Sequence, residues 1–92
     1  ACSLTLIPEV DEQIIEVKNE YKGTSITLNR DNTEPGNYTI TSREQAKITF
    51  EEGKWYIEDK SEMNTTFIRV REKTEIKPGD VIMLGDRLFE FE

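Results

Sequence analysis

The stretch of sequence that points most directly to a fold is residues 46–57, which read Ala46-Lys47-Ile48-Thr49-Phe50-Glu51-Glu52-Gly53-Lys54-Trp55-Tyr56-Ile57. Apolar and polar residues alternate on both sides of a short turn that contains glycine, and a period of two is typical of β-strands. The two halves are therefore predicted to pair as a central hairpin, with Trp55 pointing into the core. We also expect Phe50, Ile57 and Phe67 to be core residues rather than part of a binding surface.

The same alternation continues on both sides of this hairpin, and turn residues separate the apolar runs. Strands are predicted near residues 3–7, 13–18, 24–28, 38–40, 46–50, 54–58, 66–70, 80–84 and 87–91. Residues 11–21 are assigned to strand rather than helix, because their apolar residues are β-branched and too few for an apolar stripe. The pattern predicts an all-β, two-sheet β-sandwich. Function is expected in its longest loops, at residues 29–37, 41–45 and 59–65.

Length and composition describe one small domain with a thin core. The chain has 92 residues, of which 35% are hydrophobic and 34% are charged, so residues 1–92 are predicted to form a single domain, excised from a larger protein. No run approaches the roughly 20 apolar residues of a membrane-spanning helix. The net charge of −7, with no basic stripe, argues against a nucleic-acid partner. The single cysteine, Cys2, forms no internal disulfide, which favours a reducing cytoplasmic location.

Residues suited to catalysis or metal binding are scarce. The chain contains no histidine, which removes the commonest general base and the commonest zinc ligand. Residues 31–34 resemble the start of a calcium loop, yet Pro35 stands at its fifth position and no glutamate at its twelfth. We therefore expect no enzymatic activity, no catalytic residues, no cofactor and no bound metal.

Four stretches occur in an order that is known from one family of interaction domains. They are Leu28-Asn29-Arg30-Asp31, then Ser42-Arg43-Glu44-Gln45-Ala46, then Trp55-Tyr56-Ile57-Glu58-Asp59 followed by Glu62-Met63-Asn64-Thr65-Thr66-Phe67-Ile68, and finally Pro78-Gly79-Asp80-Val81-Ile82-Met83-Leu84-Gly85. Together they resemble the forkhead-associated (FHA) domain over about residues 24–92. The resemblance implies a β-sandwich that binds phosphothreonine peptides of partner proteins through loops at one end.

The resemblance also implies which residues form the binding site. Arg30 and Ser42 match the family's phosphate-holding positions, and Arg43 is expected to support the charge of the phosphate. Asn64 matches the asparagine that holds the peptide backbone. The simpler interpretation is that Arg30 pairs with a neighbouring carboxylate, Asp31 or Glu34, and that Ser42 caps a turn.

Four positions of the expected site depart from the family pattern. Asn29 replaces a glycine, Gln45 replaces a histidine that supports the binding loops, and Thr65 replaces a glycine that follows the signature asparagine. We expect Thr65 to hinder a positive φ there and so to reshape the loop. Met63 replaces a threonine that donates to the phosphate, a loss of about 1.5 to 3 kcal/mol, or one to two decades of affinity.

Two functions from different classes remain open on the sequence. In the first, the domain reads phosphothreonine weakly with the residues that it retains. In the second, the pocket is vestigial and the domain is a structural or phosphate-independent docking module, with binding energy in apolar loop contacts such as Met63. The Met63 and Thr65 substitutions favour the second, whereas Arg30, Ser42 and Asn64 favour the first.

Overall fold

The computed structural model describes residues 1–13 and 16–92, and in them nearly all regular structure is β-strand. The elements are, in chain order, β1 (Cys2–Thr5), β2 (Lys18–Tyr21), β3 (Ser25–Leu28), α1 (Arg30–Thr33), β4 (Ala46–Glu51), β5 (Lys54–Asp59), β6 (Val81–Leu84) and β7 (Arg87–Glu90). The strands form three antiparallel sheets, β1-β2, β3-β4-β5 and β6-β7. The prediction of an all-β fold is confirmed.

The central hairpin forms as the sequence predicts. β4 and β5 pair with Phe50 opposite Trp55 and Glu51 opposite Lys54, and the rings of Phe50 and Trp55 lie 4.9 Å apart. The connecting residues Glu52 and Gly53 both have positive φ, 50° and 79°, as the two-residue turns that match strand twist require. A local turn and alternating residues are thus sufficient to produce this pair of strands.

The core lies where the β1-β2 sheet packs on the β3-β4-β5 sheet. Its buried residues are Tyr21, Ile26, Leu28 and Ala46, with Cys2 and Ile48 packed against them. Cys2 stands opposite Tyr21 in the β1-β2 register, so both side chains come from the same end of that sheet. Burial, and to a lesser degree the neighbouring Cys2, raises the pKa of the Tyr21 phenol.

The prediction that Trp55 and three other apolar residues are buried was wrong. Trp55 is 42% exposed, and Phe50, Ile57 and Phe67 are exposed as well. For Trp55 and Ile57 the reason lies in the sheet order, because β5 is the outer strand. Phe50 lies near the far end of β4, whereas the buried cluster is built on β3 and the start of β4, and Phe67 lies on no strand. The alternation of apolar and polar residues predicted β5 correctly, but it did not show whether another part of the protein covers that strand.

Two predicted strands, at residues 38–40 and 66–70, are absent from the part of the chain that the structure describes. Residues 37–40 form a turn, in which the Asn37 carboxamide oxygen accepts bonds from the amide and hydroxyl of Thr39 at 3.0 and 2.6 Å and Ile40 N donates to the Asn37 carbonyl. Such local bonds compete with strand pairing. The strand predicted at 13–18 includes Ile14 and Ile15, which lie outside the described residues, and β2 begins at Lys18.

Candidate functional site

Three loops form the candidate site, and they are named here by their order: the first loop (29–37), the second loop (41–45) and the third loop (59–65). The first begins with α1, a single helical turn that the sequence did not predict. Asn29 is its N-cap, since the Asn29 side chain accepts from Asn32 N at 3.0 Å and the Asn32 side chain accepts from Asn29 N at 2.8 Å. The asparagine that departs from the family's glycine therefore fixes the start of this loop.

Arg30 follows this cap, and its side chain contacts residues at and just after the end of the same loop. Its Nε donates to the carbonyl oxygens of Asn37 and Ile40 at 2.9 and 3.1 Å, and its guanidinium carbon lies 4.8 Å from the centroid of the Tyr38 ring. An arginine side chain carries five N–H donors. The four on its terminal nitrogens form no hydrogen bond or ion pair within residues 1–13 and 16–92.

The interpretation of Arg30 as the partner of a neighbouring carboxylate is therefore wrong. Both described ion pairs are elsewhere, Lys18 with Glu20 and Lys60 with Glu58. Glu34 instead accepts a bond from the Asn37 side chain at 2.8 Å. Arg30 is held by carbonyl oxygens and an aromatic ring, which leaves its charge without a neutralising partner in the described chain.

Ser42 connects the second loop to the third. Its Oγ accepts a hydrogen bond from the backbone N–H of Glu62 at 3.1 Å, across 20 residues of sequence. A hydroxyl that accepts in this way keeps its own proton as a donor. The alternative, that Ser42 caps a turn of its own loop, does not describe this long-range contact.

Gln45 makes a second connection between the same two loops. Its Nε2 donates to the hydroxyl oxygens of Thr65 and Thr66, each at 3.1 Å, and the Thr66 hydroxyl lies 3.2 Å from the Gln45 carbonyl oxygen. The backbone of Gln45 is held by Leu28 O, which accepts from its N–H at 2.8 Å, and by Lys60 N, which donates to its carbonyl at 3.0 Å. Gln45 thus supports the third loop from a position fixed beside the central sheet.

The third loop is organised around Ser61, a buried polar residue with 9% exposure. The Ser61 hydroxyl donates to Asp59 Oδ1 at 2.7 Å and accepts from Thr65 N at 2.9 Å. Hydrogen bonds from the side chains of Ser61 and Thr66 hold the pKa of the Asp59 carboxyl below its ordinary value. The sequence Asp59-Lys60-Ser61 carried a signal for this turn, since aspartate often bonds to the backbone two residues on.

Backbone strain in the third loop falls on Asn64 rather than on Thr65. Asn64 has φ of 54°, and asparagine tolerates the left-handed region better than most residues. Thr65 is absent from the described residues with positive φ, as expected for a residue that hinders this conformation, and the reshaping of the loop stays a prediction. The Thr65 hydroxyl takes part in the contacts with Gln45 and Ser61.

The remaining predicted site residues are exposed on these loops. Arg43 is exposed and forms no ion pair or side-chain hydrogen bond within the described residues. Met63 is 72% exposed and stands between Glu62, which bonds to Ser42, and Asn64. Tyr38, also exposed, was missed as a site residue, and nothing in the sequence indicated that its ring would lie against Arg30.

These contacts join the second and third loops directly, and Arg30 joins the first loop to Ile40, two residues before Ser42. The arrangement presents an arginine with free donors, a serine hydroxyl and an exposed second arginine, a set suited to an anionic ligand. Among the residues that the structure describes, no cluster suited to a metal ion is found. In the same residues, no helix has both the length and the apolar character needed to span a membrane.

Comparison with known proteins identifies the family. The family model described as FHA domain matches residues 24–85, which is more than half of the chain and includes all three loops. No curated protein and no solved structure matches the chain. FHA domains are non-catalytic protein-interaction modules that bind phosphothreonine. The match, together with the β-rich structure, shows that this chain belongs to the FHA domain family.

Proposed function

We propose that this domain binds phosphothreonine-containing peptides of partner proteins, weakly, and that it has no catalytic role. In this proposal Arg30 and Ser42 contact the phosphate, Arg43 adds positive charge, and Asn64 holds the backbone of the peptide. A cytoplasmic location belongs to the same proposal.

The observation that carries the proposal is the hydrogen bond from Glu62 N to Ser42 Oγ. It fixes the Ser42 oxygen between the second and third loops and leaves the hydroxyl proton free to donate. A donor that is held in place before binding loses less entropy when the ligand arrives. Ser42 is half-buried, so its proton remains accessible to a ligand at the surface.

Arg30 supports the proposal in a similar way. Its Nε is held by two carbonyl oxygens and its face by Tyr38, so the guanidinium is oriented without using its terminal nitrogens. Those nitrogens match the spacing of two phosphate oxygens, and hydrogen bonds between charged partners are about twice as strong as neutral ones. A phosphate placed there would meet an arginine that needs no rearrangement.

The charges around the site explain why weak binding is proposed. Arg30 and Arg43 are the cations without an ion-pair partner in the described loops, whereas Lys60 is paired with Glu58 at 3.3 Å. The same loops carry five carboxylates, Asp31, Glu34, Glu44, Asp59 and Glu62. Within a Debye length of about 8 Å these carboxylates offset much of the attraction that a dianionic phosphate would feel.

The exposure of Met63 favours a second candidate function, phosphate-independent docking. An exposed thioether at the tip of the third loop offers a flexible apolar contact that suits many partners and supplies no hydrogen-bond donor to a phosphate. In that case the retained Arg30 and Ser42 would have structural roles, and the partner would be recognised by apolar side chains.

A titration followed by amide NMR separates the two functions. The ligand is a peptide library with phosphothreonine fixed at its centre, and the comparison is the same library with unphosphorylated threonine. The proposal requires shifts at Ser42, Glu62 and Asn64 with the phosphorylated library alone, and weaker binding in Ser42→Ala and Arg43→Ala. Arg71→Ala, a matched arginine outside the three loops, should bind normally. Equal binding of both libraries would establish docking without phosphate and overturn the proposal.

A further inference from the structure

Several hydrogen bonds of Gln45 join the second and third loops, and the side chains that form them are not among those proposed to contact the ligand. We propose that Gln45 and Thr65 act as one positioning pair, which holds the third loop against the second and so fixes the separation of Ser42 and Asn64. Neither residue is proposed to contact the ligand; both act by positioning their neighbours. The effect on phosphopeptide binding rests on the function proposed above.

The first argument is the direction of the hydrogen bonds. Gln45 Nε2 donates to Thr65 Oγ1 at 3.1 Å. The Thr65 hydroxyl points its own proton toward Ser61 Oγ, at 3.5 Å. Ser61 Oγ donates in turn to Asp59 Oδ1 at 2.7 Å. The 3.5 Å contact between hydroxyls is long for a hydrogen bond, but the Thr65 N–H donates to Ser61 Oγ at 2.9 Å, so the bonds still run in one direction from Gln45 through Thr65 and Ser61 to Asp59.

The second argument is that the hydrogen bonds permit only one assignment of the oxygen and nitrogen atoms of the Gln45 side-chain carboxamide. The Thr66 hydroxyl has one proton, and its neighbours on that side, the Gln45 carbonyl oxygen and the Asp59 carboxylate, can only accept it. The Thr66 oxygen must therefore accept from the Gln45 side chain, which requires Nε2 at that position. The Gln45 Oε1 atom is sealed from solvent and has no hydrogen-bond partner among the described residues. Exchanging the two ends of the amide would place two unpaired donors there and remove both donations to threonine.

The third argument is the rigidity of the base from which Gln45 acts. Its N–H and carbonyl are bonded to Leu28 and Lys60, next to the paired ends of β3, β4 and β5. Thr65, by contrast, has no backbone hydrogen bond to the sheet among the described residues, and its N–H donates to the Ser61 side chain. The Gln45 side-chain carboxamide therefore holds Thr65 at a fixed place relative to the sheet, and Thr65 in turn fixes the adjacent Asn64.

The pair should have a measurable effect on the contact between Glu62 and Ser42. If the third loop loosens, the Glu62 N–H loses its acceptor on the second loop and exchanges with solvent more readily. The two residues share the bond from Gln45 Nε2 to Thr65 Oγ1, and Gln45 also donates to Thr66. Removing both residues should therefore have no more effect than removing Gln45 alone.

The test compares hydrogen exchange of the Glu62 amide in the free 92-residue protein. Gln45→Met and Thr65→Val remove the polar groups with little change in volume, and Thr65→Ser keeps the hydroxyl. Each of the first two variants should speed exchange about three- to tenfold, the range expected for one hydrogen bond. The double variant should match Gln45→Met, which already removes the bond to Thr65, and Thr65→Ser should match the wild type.

Two variants with the same chemistry elsewhere serve as controls. Gln13→Met and Thr74→Val alter an exposed glutamine and an exposed threonine outside the loops, and neither should change the exchange of Glu62. Unchanged exchange in Gln45→Met, or effects that simply add in the double variant, would overturn the positioning pair. So would loss of protection in Thr65→Ser, because the hydroxyl would then not be the group that matters.

Binding of the phosphothreonine library distinguishes this inference from the function on which it rests. Affinity should fall about three- to tenfold in Gln45→Met and Thr65→Val, again without additivity. If the wild type binds and both variants bind equally well, the positioning role is refuted and the phosphate function stands. If the exchange pattern is found but the wild type binds no phosphopeptide, the loop coupling stands and the phosphate function is refuted.

Discussion

Replacing Met63 with threonine should strengthen binding of phosphothreonine peptides about five- to thirtyfold, equivalent to about 1 to 2 kcal/mol. Position 63 lies between Glu62, whose amide bonds to Ser42 Oγ at 3.1 Å, and Asn64, whose positive φ turns the chain. The family resemblance places a hydroxyl at this position against the phosphate, and the neighbouring Glu62 bonds to Ser42. The gain is set around the lower end of the range for a hydrogen bond to a charged group, about 1.5 to 3 kcal/mol, because water competes at an exposed site.

The same structure predicts that this substitution costs little stability. Met63 is 72% exposed, so threonine removes almost no buried apolar surface and the change in unfolding free energy should stay within about 0.5 kcal/mol. Met63→Val is the matched control, because valine has the shape of threonine without its hydroxyl. Isothermal titration of both variants with the phosphorylated and unphosphorylated libraries measures the effect. An equal gain in Met63→Val, or a gain for the unphosphorylated library, would refute the reasoning.

Three further substitutions test individual features of the structure: a carboxylate of the third loop, a hydrogen bond to the first loop and the turn of the central hairpin. The Asp59 pKa is lowered in the folded state, so this carboxylate stabilises the protein above its ordinary pKa of about 3.9 and the benefit is lost as the pH falls through the lower folded value; urea midpoints should fall less between pH 5 and pH 2 in Asp59→Asn than in the wild type or an Asp86→Asn control. Tyr21→Phe removes the hydrogen bond to the Asn32 carbonyl and should cost about 0.5 to 1.5 kcal/mol in urea unfolding; an unchanged midpoint would contradict it. Glu52→Gly relieves a positive φ in the central turn and should raise the thermal midpoint, whereas a lowered midpoint would mean that Glu52 has a contact that outweighs its strain.

Local sequence predicted those parts of the fold that local interactions produce. The β4-β5 hairpin needs only alternating residues and a turn that admits positive φ, and both are visible in residues 46–57. The helix cap at Asn29 was missed, because the asparagine was considered only as a departure from the family's glycine and not as a hydrogen-bond acceptor. Burial of Trp55 depends on which strands the second layer covers, and no pattern within β5 contains that information.

The candidate site was predicted in its loops and only partly in its contacts. The second and third loops are joined as expected, because the family resemblance already places them in sequence order around the same strands. The roles of Ser61 and Tyr38 were not foreseen, since each depends on a partner that a single sequence does not identify. Which residues contact a phosphate remains a prediction, and the titration proposed above tests it.

The contacts of Arg30 affect how its presence in a related sequence should be interpreted. Its Nε closes the 37–40 turn and its guanidinium covers an aromatic ring, so an Arg30→Ala variant would lose a structural support as well as a positive charge. Natural selection for a stable fold would then preserve this arginine even in a descendant that had stopped binding phosphate. Arg43, which has no such duty in the described structure, is free to drift once the ligand is gone, and it is therefore the better marker of a domain that still binds phosphate.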